Sequence, residues 1–215
     1  MSIDNRHIAP AAAVEIVVSI PQRMLFYTTA GGQVYAYPIA AGRSTWKTPR
    51  GDFTIETKET DPTWDVPPSI QEEMRRQGKP VLTRVPPSPQ NPLGKYWLGL
   101  SFSGVGIHGT NAPSSIYGLV THGCIRLHPD DIEALFAMVQ VGTRGRIVYE
   151  PVLVAHEGDR VFLEVHPDVY KRGPDPFTFI IDRAQSEDFL DMLDMSLVRE
   201  VIQKRDGVAR DVTRR

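Results

Sequence analysis

Apolar positions in this chain recur at two spacings, and the switch between them sets out the expected elements. From 14 to 60 the pattern is that of β structure. "VEIVVSI" is a continuous apolar run suited to a buried strand, and "MLFYTTAGGQVYAYPIA" is two β-rich runs joined through Gly31-Gly32, a hairpin signal. "STWKTPRGDFTI" breaks at Pro49 and Gly51 and resumes as a strand at Phe53. Short strands return at "GKYWLGLSF", "GVGIHG" and the segment around Cys124. The spacing then changes to that of a helix over 130–141, where Ile132, Leu135, Phe136 and Val139 fall at i, i+3, i+4 and i+7. Pro129 and the acids Asp130 and Asp131 suit its first turn, and Gly142 suits its stop. "RGRIVYE" reads as a closing strand.

Two stretches depart from this order. Residues 61–93 hold prolines at 62, 67, 68, 80, 86, 87, 89 and 92 around a short helical run starting at Ser69, "SIQEEMRRQGK". A stretch of this length inside a compact domain reads as a surface flap expected to border and gate a cleft, or else as a passive or disordered excursion. From Pro151 the chain takes on a second character. "PVLVAHEGDRVFLEVH" predicts a hairpin turning at Glu157-Gly158-Asp159, and Pro167 to Pro176 reads as a loop. The stripe Phe189, Leu190, Leu193, Leu197 and Val201 predicts one long helix over 186–205 with Ser186 as its N-cap, followed by a frayed polar tail. The organisation expected is a domain over 13–151 and a hairpin-plus-helix extension over 152–215.

Composition narrows the function classes. With 215 residues and 41% apolar content, the chain can bury a core without covalent staples. A net charge of -2, with 24 dispersed Lys and Arg, argues against a nucleic-acid or anionic-membrane partner. The apolar runs are too short for a transmembrane helix. A single cysteine excludes an intramolecular disulfide framework and a thiolate-rich zinc site. The opening "MSIDNRHIAP" lacks the basic stretch and apolar core of a secretory leader. Three readings of it stand: a protein kept inside the cell, a leader already removed, or export by another route.

The candidate chemistry gathers in "GIHGTN" at 106–111 and "THGCIRL" at 121–127. A thiol needs a neighbouring base or a positive field to act as a nucleophile at neutral pH, and a histidine can take its proton and return it to a leaving amine. Gly123 leaves room for a substrate backbone, and the N–H groups around His122, Gly123 and Cys124 can face an oxyanion. In an extended segment Arg126 shares a side with Cys124, where its fork suits a substrate carboxylate. Spacing alone does not choose between His108 and His122 as the base. Two other readings use the same residues: a buried, inert thiol between Ile125 and Leu127, and a metal site from His108, His122, Cys124 and His128. His7, His156 and His166 read as surface or hairpin residues.

These residues carry a resemblance. "HGTNAPSSIYGLVTHGCIRL" resembles the signature of the L,D-transpeptidase (YkuD-like) catalytic domain, nearest the branch containing the lipoprotein-anchoring enzymes. "TPRGDFTI", "DPTWDVP", "PPSPQNPLGKYWLGL" and "VGTRGRIVYEP" resemble its entry loop, the segments leading to the site and the domain end. The resemblance implies a mainly β, sandwich or barrel-like domain with a packed helix, followed here by a small α/β appendage. It implies Cys124 as nucleophile, His108 as base, the Gly109 carbonyl as the group orienting the imidazole, and His122 and Gly123 at the oxyanion side. It puts Arg126, Thr121 and Tyr117 on the substrate side, with Thr121 in place of the commoner Ser and Tyr117 where a Gly usually follows Ile. The activity implied is acyl transfer on peptidoglycan stem peptides in the periplasm or cell envelope, with no metal or cofactor and with carbapenems as inhibitors. The acceptor is another stem, a lysine of an outer-membrane lipoprotein, a free D-amino acid, or water for a carboxypeptidase. A wall-binding module without turnover and a metal-binding domain are the competing classes.

Overall fold

The computed structural model describes residues 14–215; His7 and the opening decapeptide lie outside the described residues. These fall into two compact units, one of 14–18 with 23–147 and one of 19–22 with 148–215.

The first unit is a barrel-like sheet. Its strands are β1 (Ile16–Ser19), β2 (Met24–Thr28), β3 (Val34–Gly42), β4 (Gly51–Thr60), β7 (Tyr96–Leu100), β8 (Gly106–His108), β9 (Leu119–Thr121), β10 (Ile125–Leu127) and β11 (Arg144–Val148). Their order is β10-β8-β7-β4-β11-β1-β2-β3-β9, and a further pairing of β10 with β3 closes the sheet on itself. Closure leaves β10 paired on both sides. It runs parallel to β8, with Arg126 opposite His108, and antiparallel to β3, with Arg126 opposite Ala40. Ile125 and Leu127 point inward and are fully buried with Ile16, Leu25, Ile39, Ile55, Leu98 and Ile107. The alternation therefore leaves Arg126 on the opposite face. The mainly β, barrel-like expectation holds.

Between β4 and β7 the proline-rich stretch is ordered. Two short strands, β5 (Trp64–Asp65) and β6 (Arg84–Val85), pair around helix α1 (Pro68–Arg76). The Asn91 side chain, buried at the base, donates to the Pro62 carbonyl at 2.8 Å. Helix α2 (Pro129–Met138) starts as expected, with His128 at its N-cap and the two acids in its first turn. It ends before Gly142 because Lys58 Nζ donates to the Phe136 and Val139 carbonyls at 2.7 and 2.6 Å, and Val139 is already extended. The ammonium satisfies carbonyls that a further turn would have bonded.

The second unit stacks helices α3 (Pro176–Ser186) and α4 (Met195–Lys204) on a sheet of β12 (Val152–Glu157), β13 (Arg160–Val165) and β14 (Arg210–Asp211). Its hairpin has Gly158-Asp159 at the tip, with Glu157 opposite Arg160. Three expectations are corrected here. The single helix over 186–205 does not form: α3 ends at Ser186, a 3-10 turn covers Leu190–Met192, and α4 begins after Asp194. Asp188 takes a left-handed φ of 57°, and the Asp194 carboxylate caps α4 by accepting from the Ser196 and Leu197 amides at 2.9 and 3.2 Å. The apolar stripe is still buried, Phe189 and Leu193 entering the core through the turn instead of along a helix face. The tail is not frayed: β14 pairs with β13, Val212 is buried, and Arg160 bridges to Asp211 at 2.8 Å. His156 is exposed, but His166 is not a surface residue. It is buried with Nε2 2.6 Å from Glu164 Oε1, which also accepts from Gln22 at 3.0 Å. Among the described residues no helix is long and apolar enough to cross a membrane.

Candidate active site

A cavity of about 500 Å³ opens on the barrel. Trp97, His108, Thr121, His122, Cys124 and Arg126 line it from the strands, and Trp64, Pro67 and Ile70 line it from the 61–93 excursion. The two motifs of the sequence thus meet at one place. They do so because parallel β8 and β10 deliver His108 and Arg126 in register and Cys124 enters β10 one residue earlier.

His108 is 4% exposed, and its Nδ1 lies 2.7 Å from the Gly109 carbonyl. A carbonyl only accepts, so Nδ1 carries the proton and Nε2 is left as the basic nitrogen. Trp97 stacks on the imidazole, with centroids 5.9 Å apart and planes at 24°. That stack requires Gly106, where a Cβ would stand 2.4 Å from the indole ring. Burial, and secondarily the Arg126 charge, push the His108 pKa down to about 4 against the opposing bonds to the Gly109 and Leu93 backbone. The ring is therefore neutral at neutral pH.

Cys124 is half-buried, with Sγ 3.7 Å from the Gly104 carbonyl. Burial raises its thiol pKa; the Gly106 backbone and Arg126 act in the opposite direction. Burial thus favours the uncharged form of both the thiol and the imidazole. Thr121 holds the turn that carries the sulfur: its hydroxyl donates to the Cys124 carbonyl at 2.6 Å and accepts from the Gly123 amide at 3.2 Å. Gly123 sits at φ 114°, in a region that side chains avoid. Its N–H is engaged by the Thr121 hydroxyl and so does not point freely into the cavity.

Arg126 Nη1 donates to Ser115 Oγ at 2.9 Å, and its Nε is buried without a partner among the described residues. His122 is held away from that chemistry: its Nε2 is 2.6 Å from Glu73 Oε2, and Arg43 contacts both. Trp46 packs edge-on against its ring at 5.1 Å. His128 caps α2 and does not line the cavity. Among the described residues no group of three or more His, Cys, Asp or Glu converges as a metal site. Tyr117 is 55% exposed and outside the cavity lining, at φ 67°. Arg43, Trp46, Glu73, Trp97 and Ser115 escaped the sequence reading. Trp46, Glu73, Trp97 and Ser115 stand inside stretches quoted above without being singled out; Arg43 precedes the "TPRGDF" loop, whose Thr48 Oγ1 accepts from the Gly42 amide at 2.9 Å.

A closed, barrel-like β sheet thus brings a single thiol, a buried imidazole and a guanidinium to one cavity. The chain belongs to the L,D-transpeptidase catalytic domain family, which matches residues 13–154. It is similar to the probable L,D-transpeptidase ErfK/SrfK of Salmonella typhimurium, with 36% identity over 207 residues that make up 90% of this chain and 65% of that one. It is similar to the probable L,D-transpeptidase YcfS of Escherichia coli at 33% identity, covering 100% of this chain and 70% of the relative. The solved catalytic domain of an E. faecium L,D-transpeptidase superposes with a TM-score of 0.50 at 25% identity, covering 65% of this chain and 100% of that domain. The chain spans about half to two thirds of the length of the first curated relatives it matches, 65% and 49% for the Salmonella and E. coli ErfK/SrfK proteins.

Proposed function

We propose that the chain is a cysteine L,D-transpeptidase acting on peptidoglycan stem peptides in the cell envelope, with 13–151 as its catalytic domain and 152–215 as an extension. The observation that carries this reading is one cavity shared by Cys124, a neutral His108 locked through Gly109, and an Arg126 with an unpaired buried Nε. Arg126 binds a carboxylate of the donor stem and holds its scissile carbonyl over the sulfur. His108 Nε2 takes the thiol proton as Sγ attacks that carbonyl, next to the L-centre of diaminopimelate. The His122 and Cys124 amides receive the oxyanion. Collapse breaks the C–N bond, His108 returns the proton to the D-Ala amine, and a thioester remains on Cys124. An incoming amine loses its proton to His108 and takes the acyl group. The acceptor is a second stem or a lipoprotein lysine; with water in its place the same site is a carboxypeptidase. A wall-binding module without turnover has no use for this pairing of base, thiol and guanidinium.

Intact mass spectrometry tests the reading. Incubation with a tetrapeptide stem or a carbapenem should add one acyl group to the wild type and none to Cys124→Ala. The free products, cross-linked dimer or tripeptide, distinguish amine from water as acceptor. A wild-type enzyme that takes up no acyl group from either reagent overturns it.

A further inference from the structure

Helix α1 borders the cavity with only half-buried apolar side chains, Ile70 and Met74, after the buried Val66 that precedes it. None of its residues is fully buried, and the glutamine and first glutamate that follow Ile70 bond within the excursion itself, Gln71 donating to the Val66 carbonyl and Glu72 accepting from Arg75. Glu73 does both: its Oε1 accepts from Gln77 at 3.0 Å within the excursion, while its Oε2 leaves it and meets His122 at 2.6 Å together with Arg43. All three side chains are half-buried. The His122 ring is thereby held from two directions, by Glu73 on α1 and by Trp46 and Arg43 in the loop after β3, whose Arg43 amide also donates to the Thr121 carbonyl at 3.1 Å. Arg43 and His122 together hold the Glu73 carboxyl down at about 2, so it stays ionised over any ordinary pH.

His122 is two residues from Cys124, so one ion cluster links the roof of the cavity to the loop that carries the sulfur. We propose that Glu73 is a positioning residue: by gripping His122 it keeps α1 across the cavity and the Cys124 loop in its attacking geometry, so that the donor stem binds in a cleft already closed. The proposal rests on the transpeptidase reading for its substrate but not for its mechanics. Charge-assisted hydrogen bonds from the Glu73 carboxylate, on a helix whose residues are at most half-buried, weigh heavily in whether that helix is docked.

The test compares wild type with Glu73→Ala and with the shape-preserving Glu73→Gln. Hydrogen exchange of the α1 amides, alkylation of Cys124 by iodoacetamide, and kcat and KM for a tetrapeptide donor are read on each. Loss of the grip should speed α1 exchange, leave β4 and β7 protected, and raise the alkylation rate several-fold as the roof opens. It should also lower kcat/KM for the stem by about tenfold, mostly through KM, the scale expected for losing a charge-assisted contact. A damaged fold would also expose the half-buried thiol, so it is the retained exchange protection of β4 and β7, beside faster α1 exchange, that separates a released roof from a damaged fold. Unchanged α1 exchange in both variants, or alkylation and transfer falling together in Glu73→Gln, overturns the proposal. Should wild type transfer no stem peptide, the transpeptidase reading fails, while exchange and alkylation still decide the role of Glu73.

Discussion

Burying a neutral imidazole ties stability to pH, and the size of the effect follows from His108. Its pKa is about 4 in the folded protein against an ordinary 6.5. Between these values an unfolded chain binds a proton that the folded chain refuses. The unfolded state is therefore favoured as pH falls, and stability present above 6.5 is lost on the way down to about 4. At about 1.4 kcal/mol per pH unit the full loss is about 3 kcal/mol. His108→Gln keeps a side-chain donor for the Gly109 carbonyl and removes the titration. Urea unfolding followed by tryptophan fluorescence is a suitable assay, because Trp46, Trp64 and Trp97 all lie in the same compact unit as His108. From pH 7 to pH 4.5 the wild type should lose about 2–3 kcal/mol more than the variant. Carboxylates held low, such as Glu73, titrate in both proteins and cancel in the difference. Parallel stability curves for the two proteins would refute the reasoning, since they would mean that His108 titrates alike folded and unfolded. The same shift has a kinetic side: acylation of Cys124 should keep its rate to about pH 5, where an ordinary histidine would already be protonated.

Other perturbations read other parts of the fold. Gly106→Ala drives a methyl group against the Trp97 ring and should cost about 1–3 kcal/mol by overpacking; acylation should slow with it, as near-UV circular dichroism records the displaced indole. Tyr117→Gly should stabilise the protein by about 0.5–1 kcal/mol, the left-handed strain relieved less the backbone entropy of glycine, and a lowered Tm would contradict this. Phe189→Ala, at a position 1% exposed, should cost about 3–5 kcal/mol in a thermal melt, whereas the half-buried Leu190 truncated in the same way should cost far less.

Period and punctuation were enough to find most strands and the start of α2, because those features are local: an apolar run, a Gly-Gly hairpin, a proline followed by acids. They failed where two local signals competed. The stripe from Phe189 to Val201 has helical spacing, yet Asp194 is a better N-cap than a mid-helix residue, and a cap outweighs a stripe that a turn can bury equally well. The tail went unread for a different reason: "RDV" has no strand period of its own and becomes β14 only because β13 has an edge to fill. The site divides along the same line. Which residue types serve the thiol was legible from the residues; spacing did not choose between the two histidines, since both suit an extended chain, and only the resemblance of the joined motif pointed to His108. In the folded chain the difference between them is set by partners remote in sequence. His108 pairs across β8 and β10 into a dry pocket under Trp97, and His122 meets a glutamate 49 residues away. One ring is buried beside Arg126 and left neutral, with Nδ1 tied to the Gly109 carbonyl. The other is surrounded by ions and fixed in place. Identical side chains two strands apart are thereby given opposite work by Trp97 and Glu73, neither of which belongs to the motif.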